Sequence, residues 1–308
     1  MAGYLARRLS RAILTALGAV LLVFLLVRLV PGDPVDGILG EQASPAQRAA
    51  LREQLHLDDP LPLQLAAFLG DVADGTFGRS FRRPDRTVGS RIAEVAGPTV
   101  RLALASLGLA LALALPLGVL AASRRGTRTD RLVGLVAAAG LAIPNVWLGP
   151  LLVLAFAIAW PLLPLPGDDA PGALLLPALT LGTALAATLM RQTRAATLEA
   201  LGQPFVRAAR ARGLSRGAVL RRHALRSALL PVLTVAGAQL GGLLSGAVVV
   251  ETIFERRGLG TLFVEAFFAR DLPVVQGCAL VIALSWVLVN LLLDLAYDAL
   301  DPRSREAP

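Results

Sequence analysis

Nine arginines stand between Arg191 and Pro231, at positions 191, 194, 207, 210, 212, 216, 221, 222 and 226, against one acid, Glu199. A guanidinium is always charged and presents its donors in a planar fork that fits carboxylate or phosphate. The chemistry open to this stretch is recognition of an anionic surface. Its middle carries the marks of a short helix. Pro204 suits the first helical turn, where a missing N–H costs nothing. Gly213 suits the left-handed position just past a helix end. Phe205, Val206, Arg207, Ala208, Ala209 and Arg210 lie between them, and Leu214 follows. Ser215 offers an N-cap for a second helix carrying Val219, Leu220, Ala224 and Leu225. Helices shorter than ~12–15 residues are marginal in water, so the first must be held by its own neighbours or by a partner surface.

Bond-making chemistry finds little material here. All 30 basic residues are arginine. A phosphate-binding P-loop needs a lysine, and so does a Schiff base. If the protein runs on ATP, another polypeptide hydrolyses it; ATP and magnesium would sit there, and this chain is expected to bind no cofactor or metal. His56 and His223 fall in segments predicted to be aqueous. No HExxH or GxSxG occurs, and no apolar run offers a histidine to activate a serine. Cys278, the one cysteine, lies in an apolar run and allows neither an internal disulfide nor a CxxC site; it reads as a small buried hydrophobe. The chain is not expected to be an enzyme.

The elements that would position the basic segment are long and apolar. The 308 residues are 55% hydrophobic and 17% charged, below the ~25% charged content usual for soluble domains. The apolar residues are bunched into runs, which predicts an all-α polytopic membrane protein. Six spans are expected: Leu9–Leu29, Thr99–Ala122 with Pro116 inside, Leu132–Trp160 interrupted by Pro144 and Pro150, Ala173–Met190, Val232–Val250 and Val274–Tyr297. The first follows Arg7, Arg8 and Arg11 and is read as a retained anchor, since RLVPGDP after it lacks a small-x-small cleavage site. Arg124, Arg125, Arg128 and Arg131 mark one short loop as cytoplasmic, as the arginines mark 191–231. Segment 161–172, with Asp168 and Asp169 and no arginine, is expected outside, as is 251–273. Both termini are then cytoplasmic.

Residues 31–98 form a long external segment. Ser44-Pro45-Ala46-Gln47 fits a capping box with proline at N1. A second amphipathic piece covers Leu63–Val72 and is broken by Asp74-Gly75 and Phe77-Gly78. Seven arginines here run against the positive-inside rule, which weakens for loops beyond ~60 residues. The expected divisions are 1–30 (tail and first span), 31–98 (external helical subdomain) and 99–308 (the core), with the basic loop 191–231 inside the last.

Within the spans, Gly237 with Gly241 and Gly242 with Gly246 form two GxxxG pairs, which allow close helix approach in lipid. Pro144, Asn145, Gln239 and Asn290 are candidate pathway residues, because a proline or a polar side chain in lipid leaves groups that neighbours or water must satisfy. Asp294 lies toward the inner end of its span and can reach water there.

Several stretches together resemble the membrane-spanning subunit of ABC importers of the dipeptide/oligopeptide/nickel class, the subunit with a long external loop after helix one. They are Pro31-Gly32-Asp33-Pro34, LHLDDPLPLQL (Leu55–Leu65), FGRSF (Phe77–Phe81), LLLPALTLG (Leu174–Gly182), VVVETIFERRGLG (Val248–Gly260), RDLPVVQG (Arg270–Gly277) and DPRSR (Asp301–Arg305). FVRAARARGLS to HALRSALLP (Phe205–Ser215, His223–Pro231) is similar to the cytoplasmic EAA loop of such permeases. In the general EAA pattern a glutamate precedes the two alanines; here Arg207 does. The spacing from Gly213 to Leu230-Pro231 also exceeds that pattern.

The resemblance implies a six-helix type I ABC importer permease fold in a prokaryotic inner membrane, surrounded by lipid. It implies a second similar permease, two ATPase subunits and an extracytoplasmic binding protein as partners, and no nucleic acid. It implies that the short helix docks in a groove on the ATPase and acts as a lever. Ala208, Ala209 and Gly213 would permit close approach, Phe205 and Val206 would fill the groove, and the arginines would meet acidic or lipid phosphate groups. Small peptides are the expected solute, with nickel chelates or other small solutes as the alternative. A self-sufficient channel or secondary transporter, which needs no ATPase, is the rival from another class.

Overall fold

The computed structural model describes residues 2–29, 34–39, 43–167 and 170–300. Residues 31–33 of the first turn, Asp168, Asp169 and the DPRSR motif lie outside them, as do the side chains of His223 and Asp294. Among the described residues regular structure is helical, and one isolated bridge pairs Arg79 with Thr87. The helices are α1 (Ala2–Arg28), α2 (Pro34–Leu39), α3 (Pro45–Gln54), α4 (Leu61–Ala73), α5 (Val88–Ser123), α6 (Arg128–Ala142), α7 (Asn145–Val153), α8 (Leu175–Gly202), α9 (Pro204–Ala211), α10 (Arg216–Val219), α11 (Leu225–Ile253), α12 (Leu259–Phe268) and α13 (Leu272–Leu300). π-helical turns extend α7 over Leu154–Ala159 and join α10 to α11 over Leu220–Ala224.

Four described helices are long and apolar enough to cross a membrane: α1 from Arg7, α5, α11, and α13 to Leu293; α6 with α7 makes a fifth if that bent pair is one span. The expected third span is thus no straight rod. Its two halves are bent by 103°. Ile143 is extended there, with φ −89° and ψ 114°, the conformation that a proline favours in the residue before it. Pro144 then takes the N-cap place of α7.

The expected fourth span falls on α8, which is not among those apolar helices. Fifteen of its 28 residues are buried, against eight of the 29 in α11. A helix walled by protein needs less apolar surface than one facing lipid. Two of its three buried threonines turn inward on the backbone: Thr180 donates to the Leu176 carbonyl at 2.8 Å and Thr193 to Leu189 at 2.7 Å. Leu14, Leu22 and Leu25 of α1, by contrast, are more than half exposed, as side chains covered by acyl chains would be.

By contacts the chain falls into two compact units, 1–100 with 255–291, and 101–254 with 292–308. The division into 1–30, 31–98 and 99–308 is one of membrane sidedness, and a division by contacts is a different cut. In unit one, Val20 and Val23 of α1 pack with Phe68 and Val72 of α4 and with Leu280 of α13. The capping box of α3 forms as expected: Gln47 N donates to Ser44 Oγ at 3.3 Å, and Ser44 N to Gln47 Oε1 at 2.9 Å. Arg52 hydrogen-bonds Asp58 at 2.7 Å and holds that exposed carboxyl below its usual pKa. Helix α5 begins at Val88, ahead of the expected Thr99.

Asp271, which is 2% exposed, staples unit one. It accepts from Ser80 Oγ at 2.5 Å, from the Phe81 amide at 2.9 Å and from Arg91 Nη1 at 3.3 Å. FGRSF and RDLPVVQG are therefore two halves of one polar contact. A buried carboxylate requires such partners, since an unpaired one costs several kcal/mol.

Unit two is built on α8. A Cβ on Gly118 would stand 2.8 Å from the Met190 carbonyl oxygen and 2.6 Å from Thr193 Cβ, and one on Gly182 2.8 Å from the Ser106 carbonyl oxygen. These contacts advance together along both helices, so α5 and α8 run parallel. Gly140 lies against Thr183 and Ala187, while Asp130 meets Arg194. Here the numbers advance in opposite senses, so α6 runs antiparallel to α8.

Candidate functional site: the short basic helix

Helix α9 follows α8 after one extended residue, Gln203, at φ −69° and ψ 150°. Pro204 fills the first of the eight positions of the helix. Gly213 closes it at φ +84°, a left-handed conformation that glycine adopts without a Cβ clash. The Leu214 amide donates to Ala209 O at 3.3 Å and the Gly213 amide to Arg210 O at 2.9 Å. This pair of bonds is a Schellman motif. Ser215 Oγ then accepts from the Ala218 amide at 3.4 Å and caps α10. Both helix ends fall where the residue types place them.

The chain's own neighbours hold the helix. Val206 (1% exposed), Ala209 (7%) and Val219 (0%) form a small core, with Leu214 packed on it. Burying two valines at ~1.5–3 kcal/mol each offsets much of the marginality of so short a helix. Val206 and Ala209 are therefore turned into this chain, so the expectation that Val206 fills a foreign groove and Ala209 admits a close approach does not fit this geometry. Phe205, Arg207, Ala208, Arg210 and Gly213 face outward, Phe205 at 42% exposure. An aromatic ring and an alanine flanked by guanidiniums on a rigid rod form a surface suited to an acidic partner with an apolar pocket.

The other expected positions are dispersed. Pro144 is exposed at the α6–α7 bend and Asn145 opens α7 half-buried. Gln239 is exposed on α11, and Asn290 donates to the Trp286 carbonyl of its own helix at 2.9 Å. Of the GxxxG residues, Gly237 lies under Leu293 of α13, Gly246 against Leu181 of α8, Gly241 is buried and Gly242 half-buried. Among the described residues the tightest helix-to-helix contacts with backbone, at Gly118 and Gly182, carry no GxxxG signature.

One ion pair, between α6 and α8, was not expected from sequence. Arg194 Nε and Nη2 reach Asp130 Oδ1 and Oδ2 at 2.6 and 2.9 Å. The arginines of 124–131 read as a topology signal, and Asp130 is the one acid among them. A lone acid in a basic loop was the available cue.

Comparison with known proteins bears on all of this. The family described as binding-protein-dependent transport system inner membrane component matches residues 114–306, and its N-terminal counterpart matches residues 1–87. The chain is 39% identical over 307 residues to the glutathione transport system permease protein GsiC of Salmonella paratyphi A, covering 99% of each. It is 38% identical over 334 residues to the di/tripeptide transport system permease protein DppB of Pseudomonas aeruginosa, and 37% identical over 337 residues to the dipeptide transport system permease protein DppB of Escherichia coli K12, again over 99% of each.

Proposed function

The chain belongs to the family of binding-protein-dependent transport system inner membrane components, and from that premise we propose that it is the permease subunit of an ATP-driven importer of small peptides. The observation that carries the reading is α9: a preformed, outward-facing basic rod on a chain related end to end to peptide permeases. Two of the relatives are named for di- or tripeptides and one for glutathione, itself a tripeptide. Peptide therefore stands ahead of nickel chelates and other small solutes.

The full assembly would comprise a second similar permease, two ATPase subunits that bind ATP and magnesium, and an extracytoplasmic binding protein. The outer face of α9 meets the ATPase through Phe205 and Ala208, with Arg207 and Arg210 steering an acidic rim, and Val206 with Ala209 supports that face from behind. Closure of the ATPases on ATP displaces α9 and switches the permease between inward- and outward-facing states.

Six crossings with both termini cytoplasmic give the type I arrangement. α5 and α8 running parallel with α6 reversed supports that alternation. The Asp130–Arg194 pair supports one side for the 124–131 loop and the basic segment. In unit two the Gly167 amide donates to Phe254 O at 3.0 Å, and in unit one Arg82 donates to Ala269 O at 3.1 Å; both contacts join loops expected outside. α8 is the crossing whose walls are protein. A self-sufficient channel has no use for an exposed basic rod fixed by three separate end signals.

Cells carrying the complete system should take up a labelled dipeptide, and unlabelled di- and tripeptides should compete while a nickel chelate does not. Competition by the chelate with none by peptides would move the reading to a metal-chelate importer.

A further inference from the structure

We infer that Asp130 and Arg194 are positioning residues that lock α6 to α8, so that displacement of α9 is delivered to the bent α6–α7 pair. The inference rests on the reading of α9 as the ATPase contact.

The geometry is that of a lock more than of a surface ion pair. The Asp130 side chain is 9% exposed and that of Arg194 36%. Both carboxylate oxygens are used: Oδ1 accepts from Nε, and Oδ2 accepts from Nη2 and from the Gly126 amide, the last at 2.9 Å. A fork-to-fork pair resists rotation and sliding as well as separation, which a point charge does not. Thr127, at the N-cap of α6, makes no side-chain cap. Asp130 stands in the first turn instead, where a carboxylate complements the positive end of the helix, and through Gly126 it fastens the α5–α6 turn as well. One carboxylate thus joins three segments: the turn after α5, the start of α6, and α8.

Two further observations give the lock something to transmit. Toward the far end of α6, Gly140 sits against Thr183 and Ala187 of α8. α6 is thereby held in register at both ends, and two residues beyond its last turn comes the bend at Pro144. α8 itself runs on from Arg194 to the start of α9, roughly 15 Å at 1.5 Å per residue. A push on α9 moves the end of α8 that carries Arg194; with the pair intact α6 must follow, and with it broken α6 can lag.

A pair serving stability alone would, once broken, lower the amount of intact complex and leave uptake per ATP unchanged. The test measures that ratio. The complete transporter, with its companion permease, ATPases and binding protein, is placed in proteoliposomes and given a labelled dipeptide. Asp130→Asn and Arg194→Gln should each lower peptide taken up per ATP hydrolysed about tenfold, the effect of one lost charge-assisted hydrogen bond, while ATP hydrolysis continues. The double variant should be no worse than either single one, since the two act as a unit. Arg194→Lys keeps the charge and loses the fork, so it should also lower the ratio; it carries the test if the other variants do not assemble. An unchanged ratio in the assembled variants, or losses that simply add in the double variant, would overturn the lock. If Phe205→Ala releases the ATPases while Asp130→Asn transports like wild type, the lock alone fails. If the wild-type complex shows no ATP-driven uptake, the reading of α9 fails and the lock falls with it.

Discussion

Gly182→Ala should lower the thermal midpoint and the yield of folded permease, whereas Gly237→Ala should be tolerated. Both glycines sit where an added Cβ finds an atom too close, but the atoms differ. At Gly182 the obstacle is the Ser106 carbonyl oxygen, 2.8 Å away, backed by Ser106 C and Cα at 3.5 Å. That is the backbone of α5 at a fully buried residue, whose own hydroxyl is tied to Leu102 O at 2.8 Å. Two helices must separate, and overpacking of this kind costs about 1–3 kcal/mol or more. Against a total stability of roughly 5–15 kcal/mol that is a large share. At Gly237 the nominal approach to the Leu293 methyl is closer, 2.1 Å. Yet that methyl ends a flexible side chain, and a rotamer change of about 0.5–1.5 kcal/mol removes the clash. The yield of monodisperse protein in detergent, and its thermal midpoint there, rank the two variants. Equal tolerance at both sites would mean that α5 and α8 are not packed as described.

Phe205→Ala should weaken the hold of the ATPase subunits about thirtyfold while leaving the permease folded. The ring is exposed on a rod whose opposite side is fixed by Val206, Ala209, Leu214 and Val219, so its removal touches no part of that core. Aromatic anchors at protein interfaces commonly contribute ~2 kcal/mol or more, and ~1.4 kcal/mol is tenfold in affinity. Val206→Asp makes the contrast. It places a carboxylate in the core itself, so it should unfold the helix and abolish assembly by another route. Co-purification of the ATPases, with the permease checked for monodispersity, separates the two effects. Undiminished retention of the ATPases by Phe205→Ala would remove this face from the interface.

The residues show why some of this was legible from sequence and some was not. Local signals carried the ends of α9: a proline at the start, a glycine in the left-handed region, a serine cap after it. These are backbone constraints that act within a few residues, and they survive any tertiary context. Apolar runs located α1, α5, α11 and α13 for the same reason, since lipid demands hydropathy of whatever it touches. What failed to show was anything decided by a distant neighbour. Which side of α9 faces inward depends on Val219, which lies beyond the turn. Helix α8 was placed as a span, Ala173–Met190, but its enclosure by protein depends on the helices around it. The tightest crossings use single glycines, Gly118 and Gly182, whose partners lie on another helix. The Asp130–Arg194 and Ser80–Asp271 pairs join residues 64 and 191 positions apart, and nothing local announces either.

Everything proposed for α9 requires that solute movement be driven from outside this chain. Proteoliposomes holding the permease pair, supplied with the binding protein and a labelled dipeptide, measure that directly when the ATPase subunits are included or left out. Concentration of the peptide against its gradient, only when ATPases and ATP are both present, is the predicted result. Equal accumulation without the ATPases would contradict it.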